Sequence, residues 1–394
     1  MSGTLIAPEW DVAHRFCHDV ARAMPPEPVP LCDAVGRTLA QDVVALSDVP
    51  HYASSAMDGW AVAGARPWRL VEAASLNAGD ATPIVTGGLV PAGTLGVLRS
   101  EHGVVVDGDD RQMLIPRADV GDDEPRVGDH IRPVGEEVRQ SEIVVRAGAL
   151  LNPAHIAVAA ACGHDTLSVR HRPRVGLILT GDDVVESGIP TPGRVRDTLG
   201  PQLPALIEML GGVATARQRI GDQLQSTVSA LAGASTAEDA DVLVTTGGTS
   251  GSPVDHLRTA LRTVEAEILI DGVNIRPGGP CLLARLTDAR LVVCLPGNPL
   301  AAMIGLLALV RPLLAGLRGA PLPACGTAVV GHEVASGRGR SRLLPYRSIG
   351  GVAVPSQWLG SAMLRGLAEA DGVLVCPQAG AHPGDQVVTL PLPW

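Results

Sequence analysis

The stretch that decides the fold of this chain reads Asp241-Val-Leu-Val-Thr-Thr-Gly-Gly-Thr-Ser-Gly-Ser-Pro-Val-Asp-His256. Its first residues, 241–245, form an apolar β-branched run that stops at glycine, which predicts a buried strand of a parallel sheet. The loop after this strand consists only of small residues, namely Thr246, Gly247, Gly248, Thr249, Ser250 and Gly251. Glycine lets a ligand approach the main chain closely, and successive exposed N–H groups bind anions, so the loop predicts a phosphate site. A glycine turn kept for steric reasons alone is the alternative.

A second glycine turn occurs further along the chain. Residues 291–295 form another short apolar run, which ends in Pro296-Gly297-Asn298-Pro299. Asn298 is a favoured N-cap and Pro299 suits the first helical position, so residues 300–317 are predicted to form an apolar helix. In a parallel sheet this turn and the loop after residue 245 both open at the carboxyl ends of their strands. Together they favour a binding site over a steric explanation.

Strands and helices alternate throughout this part of the chain. The predicted elements are strands at 175–179 and 213–219 and helices at 202–210, 222–231 and 253–264, with Asp255 in the first turn of the last helix. Such alternation is typical of a doubly wound parallel sheet. The flanking regions differ from it: a helix is predicted at 8–24, a helical or mixed segment at 31–44, short β strands between 68 and 128, a helix at 153–163, and a small β domain after residue 319.

Composition and charge exclude several classes of protein. The chain has 394 residues, 46% of them hydrophobic and 18% charged, which is ordinary for a globular protein of several domains. The net charge of −10 argues against a general nucleic-acid surface. The chain contains no lysine, and its 31 lysine-plus-arginine residues are all arginines. Schiff-base and P-loop-lysine chemistry are therefore excluded.

The cysteines and the termini indicate a reducing compartment. The 7 cysteines are scattered and form no Cys-x-x-Cys pair, so neither a disulfide framework nor a zinc site is indicated. The N-terminus lacks a signal-peptide pattern. The most apolar stretch, 300–317, contains Arg311 and Pro312 and is predicted to be a core helix instead of a membrane span. We therefore expect a cytoplasmic protein with no membrane partner.

Several motifs, taken in order, resemble those of one known family. They are Ser54-Ser-Ala-Met-Asp-Gly-Trp-Ala-Val62, Val85-Thr-Gly-Gly-Leu-Val-Pro91, Ile131-Arg-Pro-Val-Gly-Glu-Glu137, Thr180-Gly-Asp-Asp183, Thr246-Gly-Gly-Thr-Ser250 with Asp255, Leu295-Pro-Gly-Asn-Pro299, and Leu367-Ala-Glu-Ala-Asp-Gly372 with Ser361. Each motif alone is weak, but together they cover nearly the whole chain. They resemble the MoeA-type molybdopterin molybdenumtransferases, a family that includes the homologous domain of gephyrin.

The resemblance implies a fold and an assembly. The expected fold is α/β multidomain, with a central doubly wound MogA-like α/β domain that binds molybdopterin. The expected divisions are a helical N-terminal domain (1–44 plus 139–171), an inserted β-rich module (45–138), the central domain (172–318) and a C-terminal β-barrel-like domain (319–394). Family members are homodimers whose active site lies between the central domain of one subunit and the inserted module of the other. Other proteins of molybdenum cofactor biosynthesis are further expected partners.

The resemblance also implies a reaction, in which molybdate is inserted into adenylylated molybdopterin with Mg²⁺ and AMP is released. Asp58, Asp222 and Asp255 are the expected catalytic residues, and Asp183, Asp222 and Asp255 the expected Mg²⁺ ligands. The expected substrate-binding residues are Thr86, Gly87, Thr246, Gly247, Gly248, Thr249, Ser250, Arg276, Pro296, Gly297 and Asn298.

Each of these carboxylates has a structural alternative. Asp58 lies among small residues, where an Asx turn is the more ordinary interpretation. Asp222 follows Gly221 at a predicted helix start and can serve as a cap. Asp183 and Asp255 can be partners of a helix dipole.

The chain also departs from the family pattern. Arg276-Pro-Gly-Gly-Pro280 stands where the family has Lys-Pro-Gly-Lys-Pro, so Gly279 leaves out a cation. Leu95 replaces a carboxylate and Leu199 an amide. These departures keep two further hypotheses open: a non-catalytic molybdopterin-binding scaffold, and an enzyme that adenylylates molybdopterin.

Overall fold

The central sheet is built around the run that the sequence singles out. The structure, a computed structural model, describes residues 3–108, 111–233, 240–250 and 255–394. Four neighbouring strands of the sheet are parallel, in the order Val213–Ile220, Arg174–Thr180, Val242–Thr246, Leu291–Leu295. All residues of the last two strands are buried, as their unbroken apolar sequences predict.

The far side of this sheet corrects the prediction of a purely parallel arrangement. Leu282–Arg285 pairs antiparallel with both Leu291–Leu295 and Glu267–Asp271, and Leu5–Ile6 adds a parallel edge strand. The turn between Leu282–Arg285 and Leu291–Leu295 is short, and so short a connection permits only antiparallel pairing. The seven-stranded sheet is therefore mixed.

The helices of the central domain differ from the predictions mainly at their ends. They span Leu199–Met209, Leu224–Ala232 and Leu257–Thr263, and a small strand pair, Val184–Val185 with Val195–Arg196, lies at the edge. The helix that was predicted to begin at residue 253 is observed from Leu257; residues 251–254 lie outside the described residues. Asp222 and Asp255 consequently precede their helices instead of lying inside them.

A long apolar helix crosses the core of the central domain. It consists of Pro299–Gly305, a π-helical turn at Leu306–Val310, and Arg311–Leu317. The wider turn ends two residues before Pro312, which lacks an N–H and whose ring crowds the carbonyl four residues earlier in a regular α-helix. Within the described ranges it is the one helix long and apolar enough to span a membrane, and 89% of that stretch is buried inside the protein. The prediction of a core helix is confirmed.

The N-terminal region is mixed in secondary structure. Trp10–Asp19 packs against Arg311–Leu317 and the π-helical turn, and Ala13 and Cys17 are fully buried there. The remaining elements are the 3-10 turn Leu31–Asp33, the helix Pro153–Ala161, and the strand pairs Pro26–Pro30 with Thr166–Arg170 and Val43–Val44 with Ile143–Val145. The segment 31–44, predicted to be helical or mixed, is mixed: it holds the 3-10 turn Leu31–Asp33 and the strand Val43–Val44, whose pairing with a distant strand overrides the helical pattern.

The other two domains are β-rich, as predicted. The inserted module holds a six-stranded sheet ordered Gly96–Arg99, Gly59–Val62, Asp80–Ile84, Trp68–Leu70, Gln112–Pro116, Gly103–Asp107, together with the pair Ile131–Arg132 and Ser54–Ser55 and the 3-10 turn Ser100–His102. The C-terminal sheet contains Gly326–Val329, Ser341–Ile349, Val352–Pro355, Gly372–Cys376 and Gln386–Pro391, beside the short helix Arg365–Ala368. Ile275–Arg276 of the central domain joins this sheet.

Candidate active site

The two glycine loops lie side by side at the carboxyl edge of the parallel strands. The N–H of Gly247 donates to the carbonyl of Leu295 over 2.9 Å. A Cβ placed on Gly297 would lie 3.5 Å from the Cα of Gly247. The two loops therefore lie together at one edge of the sheet, as the sequence predicts, and their binding of a ligand stays a prediction.

The first loop requires glycine at residue 247. Gly247 and Gly248 have φ angles of 89° and 64°, in the left-handed region that favours glycine. A Cβ on Gly247 would lie only 2.3 Å from Oγ1 of Thr180, whose hydroxyl donates to the carbonyl of Thr246. The loop is thus packed tightly against the neighbouring strand end, and Gly247 and Gly248 add no side chain of their own to it.

The second loop begins the long core helix. Asn298 is the N-cap residue, as predicted, but its side chain makes no capping hydrogen bond. Pro299 occupies the first helical position. Because Asn298 lines the adjoining cavity, its amide is available there for a ligand.

One large cavity opens above these loops. It has a volume of about 1170 Å³ and is lined by parts of the central and C-terminal domains. Its lining includes all predicted substrate-binding residues of the central domain, Thr246, Gly247, Gly248, Thr249, Ser250, Arg276, Pro296, Gly297 and Asn298. It also includes the three predicted metal ligands, Asp183, Asp222 and Asp255, which we call the acidic side.

The carboxylates of the acidic side have contacts that differ from the structural alternatives. Asp222 is not a cap, since the following helix has Gln223 as its N-cap. Its Oδ2 instead accepts the N–H of Asp182 at 3.0 Å, and its own N–H donates to Oδ2 of Asp182 at 3.3 Å. Asp183 precedes a short strand, so it does not lie in the first turn of a helix.

Asp255 lies two residues before the helix Leu257–Thr263, and its Oδ2 accepts the hydroxyl of Ser250 at 2.5 Å. This contact links the acidic side to the first glycine loop. No group of three or more His, Cys, Asp or Glu side chains forms a ready metal cage in the parts of the chain that the structure describes. Any Mg²⁺ bound here would therefore need ligands from the substrate as well as from these carboxylates.

A second group of charged residues was missed by the sequence analysis. Arg338 and Arg340 of the C-terminal domain line the cavity beside Arg276; we call these three the basic side. Among the described residues none of their guanidinium groups has a carboxylate partner. The signal available in the sequence was the run Gly337-Arg-Gly-Arg340, a pair of arginines between glycines.

Asp197 and Arg219 are further lining residues that the sequence analysis did not select. Asp197 is 8% exposed and accepts the N–H groups of Leu199 and Gly200 at 3.1 and 2.9 Å. It also accepts a hydrogen bond from Arg219, which in turn donates to Glu186 at 3.2 Å. Asp197 thus accepts the first two N–H groups of the helix that begins at Leu199, whose N-cap is Thr198, and is charge-paired, which makes it a structural part of the wall.

The remaining predicted residues lie on the inserted module. Oδ1 of Asp58 accepts the N–H of Thr86 at 2.6 Å and its hydroxyl at 2.9 Å, so the local Asx-turn interpretation is wrong. These two hydrogen bonds hold the pKa of Asp58 below its ordinary value, and the N–H of Thr86 contributes more than its hydroxyl. Gly87 has a φ of 80° and accepts the hydroxyl of Tyr52. Asp58, Thr86 and Gly87 are exposed, and they do not line the cavity of their own chain.

Comparisons with known proteins cover almost the full chain. Three family models match in succession: the MoeA N-terminal region (domain I and II) over residues 10–163, a probable molybdopterin binding domain over 176–316, and the MoeA C-terminal region (domain IV) over 327–392. Molybdopterin molybdenumtransferase 2 of Mycobacterium tuberculosis is 30% identical over 92% of this chain and 94% of its own length. Molybdopterin molybdenumtransferase of Staphylococcus aureus is 28% identical over 90% of this chain and 88% of its own.

Solved structures agree in fold. Two crystal structures of a molybdopterin biosynthesis MoeA protein from Pyrococcus horikoshii are 24% identical to this chain and cover 98% of it. One has a TM-score of 0.80 over 99% of its own length, and the other a TM-score of 0.78 over 100%. A molybdenum cofactor biosynthesis protein from Pyrococcus furiosus has a TM-score of 0.61 at 22% identity, over 98% of this chain and 99% of its own. The multidomain architecture expected from the sequence is thereby confirmed.

Proposed function

Because this chain belongs to the MoeA family of molybdopterin molybdenumtransferases, we propose that it inserts molybdate into adenylylated molybdopterin in a Mg²⁺-dependent reaction that releases AMP. Family membership gives the enzyme class, a transferase of molybdenum cofactor biosynthesis. The adenylylated substrate, the metal and the oxyanion are the proposal. The observation that carries it is the single cavity in which two glycine loops, an acidic side and a basic side adjoin.

The glycine loops supply the proposed phosphate contacts. Residues 248–250, Gly297 and Asn298 line the cavity, and their main-chain N–H groups are the proposed donors, since Pro296 has no N–H and that of Gly247 donates to Leu295. The second loop opens the helix that begins at Pro299. A helix N-terminus and unpaired N–H groups favour an anion. A phosphoanhydride fits this chemistry because it offers negative oxygens on adjacent phosphorus atoms, one for each loop.

The acidic side fits Mg²⁺ shared with a substrate. Mg²⁺ in such sites is commonly held by one or two carboxylates together with substrate phosphates and waters. Asp183, Asp222 and Asp255 all line the cavity, and one or two of these carboxylates would hold the ion together with substrate phosphates and water. When bound, the ion would neutralise the negative charge of the phosphoanhydride.

The proposed chemistry has two parts. Hydrolysis cleaves the P–O–P bridge of the substrate, and the elements of one water are divided between AMP and the terminal phosphate of molybdopterin. Transfer then replaces one oxygen of molybdate by the two dithiolene sulfurs, and that oxygen leaves as water with the two thiol protons, so the oxidation state of molybdenum does not change. In both parts this chain orients anions and excludes bulk water, which lowers the barrier through fixed charges and positioning.

Asp58 belongs to the same proposed site through a second subunit. The hydrogen bonds from Thr86 keep its carboxylate ionised, so it is a hydrogen-bond acceptor for a water or for the hydroxyl of a protonated oxyanion. Asp58 lies outside the cavity of its own chain. We therefore propose a homodimer in which the Asp58–Thr86 turn of one subunit completes the cavity of the other.

AMP release from adenylylated molybdopterin tests the reaction. The assay is run with the purified protein, with and without Mg²⁺, and with and without molybdate. We expect release that needs Mg²⁺ and is stimulated by molybdate. Binding of the substrate without AMP release would overturn the proposal in favour of a scaffold, and ATP-dependent adenylylation of molybdopterin would overturn it in favour of an adenylyltransferase.

Subunit mixing tests the shared site. Asp58→Ala and Asp255→Asn proteins are each expected to be inactive, but a mixed dimer contains one site in which both residues are native. Unfolding and refolding the two variants together should therefore restore AMP release, while refolding each alone should not. A mixture that exchanges subunits, as shown by differently tagged chains, and stays inactive would contradict the shared site.

A further inference from the structure

A histidine of the first helix, Trp10–Asp19, is buried against the long core helix. His14 is 4% exposed and lies beside Ala13 and Cys17, which are fully buried at the same contact. Its ring lies outside the cavity, so the proposed reaction makes no use of it. A titratable group in such a place needs partners for its ring nitrogens or has to stay uncharged.

One ring nitrogen satisfies a carbonyl of the core helix that proline leaves free. In a regular α-helix the carbonyl of Ala308 accepts the N–H of residue 312, but Pro312 has no N–H. Nδ1 of His14 lies 3.0 Å from this carbonyl oxygen. A carbonyl oxygen can only accept, so the hydrogen is on Nδ1. His14 therefore replaces the donor that the core helix lacks.

The other ring nitrogen has no such partner. Nε2 of His14 is buried and forms no hydrogen bond with any residue that the structure describes. In the neutral ring this nitrogen is only an acceptor, so no donor is left without a partner. Protonation would place an N–H and a full positive charge in this closed space.

The surroundings of the ring disfavour its protonation. Burial is the main cause that lowers the pKa of His14 below its ordinary value, and Arg311 of the core helix and His18 of the same helix lower it further. The carbonyls of Ala308 and Pro323 favour the charged ring, but their effect is smaller than that of burial. The helix is thus docked with a neutral ring.

The charge of Arg311 is not offset in this part of the protein. Its Nη1 donates to the carbonyl of Pro391 at 2.6 Å, and no carboxylate among the described residues pairs with it. Cys325 is the titratable group of the following segment that acts on Arg311, and partial desolvation raises the pKa of its thiol, so it supplies no negative charge at neutral pH. A charged His14 would therefore lie near an existing positive charge.

The first helix also begins at the wall of the cavity. Glu9 is its N-cap residue, and Oε1 of Glu9 accepts the amide N–H groups of Asn274 at 2.7 Å and Gln378 at 2.8 Å. The main-chain N–H of Asn274 donates to the carbonyl of Pro8 at 2.8 Å. Docking of the helix through His14 thus also holds the contacts of residues 8 and 9 with the segment that leads to Arg276.

We propose that His14 is an acid-sensitive latch, which holds the first helix on the core helix while its ring is neutral and releases the helix, together with Glu9, when the ring binds a proton. The latch is independent of the proposed reaction. The pKa of His14 is lowered in the docked state, so the released state binds the proton more tightly. Docking is therefore constant above the ordinary histidine pKa of about 6.5 and weakens as the pH falls from there to the lowered pKa.

Hydrogen exchange followed by mass spectrometry tests the latch on the full-length protein. Protection of the amides of residues 10–19 is measured between about pH 8 and about pH 5 and corrected for the pH dependence of intrinsic exchange. We expect constant protection above about pH 6.5 and a loss of up to about tenfold per pH unit below it, because one proton is linked to release. Peptides that contain Asn274 should lose protection in parallel, since its N–H donates to Pro8.

His14→Gln separates the proton from the packing. The glutamine amide can donate to the carbonyl of Ala308 but does not titrate, so protection of the helix should no longer depend on pH. His332→Gln is the matched control, because it removes an exposed imidazole of the C-terminal domain and should keep the native response. Native protection that does not fall below about pH 6.5, or the same fall in His14→Gln, would overturn the latch.

Arg311→Gln provides a second variant that decides the matter if His14→Gln does not fold. Its amide keeps a donor for the carbonyl of Pro391 but removes the charge that opposes protonation of His14. The docked and released states then differ less in proton affinity, so the loss of protection at acidic pH should be smaller than in the native protein. An undiminished loss would overturn the latch, and a loss confined to residues 10–19 would contradict the release of Glu9.

Discussion

The acidic and basic sides of the cavity are built in different ways. Asp183 and Asp222 each follow a strand of the central sheet, Arg174–Thr180 and Val213–Ile220, which are parallel neighbours. The acidic side is therefore a direct product of sheet order. The basic side instead depends on the pairing of Ile275–Arg276 with a strand of another domain, which brings residues separated by a long stretch of chain together.

This difference explains which residues the sequence could predict. Carboxyl ends of parallel strands meet at one edge, so short polar motifs after apolar runs indicate a shared site without knowledge of the full topology. No such rule connects Arg276 with Arg340. The contact requires the C-terminal sheet to accept a strand from the central domain, and a two-residue strand such as Ile275–Arg276 has no periodicity to reveal it.

The largest expected effect is on the acidic side, in Asp255→Asn. The amide removes the negative charge but keeps the size of the side chain and an oxygen that can accept the hydroxyl of Ser250. We expect AMP release to fall by about a hundredfold to a thousandfold, as for loss of one charged contact to a transition state. Molybdate binding should stay close to that of the native protein, because the substitution removes a negative charge and no cation from the cavity.

Asp123→Asn is the control for this substitution. Asp123 forms an exposed ion pair with Arg126 on the inserted module and does not line the cavity. Thermal unfolding should show native stability for both variants. Full turnover by Asp255→Asn would remove Asp255 from the catalytic group, and a large loss of molybdate affinity would mean that the two sides do not act separately.

A smaller effect on AMP release is expected for Gly247→Ala in the first glycine loop. The new Cβ would lie 2.3 Å from Oγ1 of Thr180, and residue 247 has a φ of 89°, which disfavours alanine. The free energy of unfolding should fall by about 1–3 kcal/mol, and AMP release should fall with it. Gly188→Ala isolates the contribution of φ, since Gly188 has a φ of 72° but nothing within 4 Å of its Cβ position. If urea titrations show the same loss of unfolding free energy in Gly247→Ala and Gly188→Ala, the contact with Thr180 does not destabilise the protein.

The fold was predictable where a local sequence pattern had one structural interpretation. The strand Leu291–Leu295 has its predicted bounds, because an apolar run between turn residues has few alternatives. The strand Leu282–Arg285 reverses direction through a short turn that the sequence analysis did not recognise, so the sheet was predicted to be parallel throughout. For Asp222, the sequence left a cap and a ligand as alternatives, and only the position of Gln223 as N-cap decided against the cap.

The Asp58–Thr86 turn of the inserted module provides a test of pH dependence. Thr86→Val removes the hydroxyl donor but leaves the stronger N–H donor, so the pKa of Asp58 should rise part of the way towards its ordinary value. A depressed pKa keeps the carboxylate charged at lower pH. The acidic limb of the pH profile of AMP release should therefore move to higher pH in the variant. A limb that stays in place, measured beside an unchanged Tm, would indicate that another group controls it.

The smallest expected effect concerns Glu9, which supports the basic side without lining the cavity. Its Oε1 accepts the amide N–H groups of Asn274 at 2.7 Å and Gln378 at 2.8 Å. Asn274 precedes the strand that carries Arg276, and the carbonyl of Gln378 accepts the N–H of Gly337 in the turn that carries Arg338 and Arg340. Glu9→Ala removes both hydrogen bonds, so molybdate affinity should fall about two- to fivefold. The carboxylates of the acidic side keep their contacts in this variant. Glu9→Gln keeps an acceptor oxygen and should bind molybdate almost as the native protein does. If Glu9→Ala also binds normally, backbone pairing at Asn274 and Gly337 alone is sufficient to hold the two segments together, and the basic side is as self-contained as the acidic one.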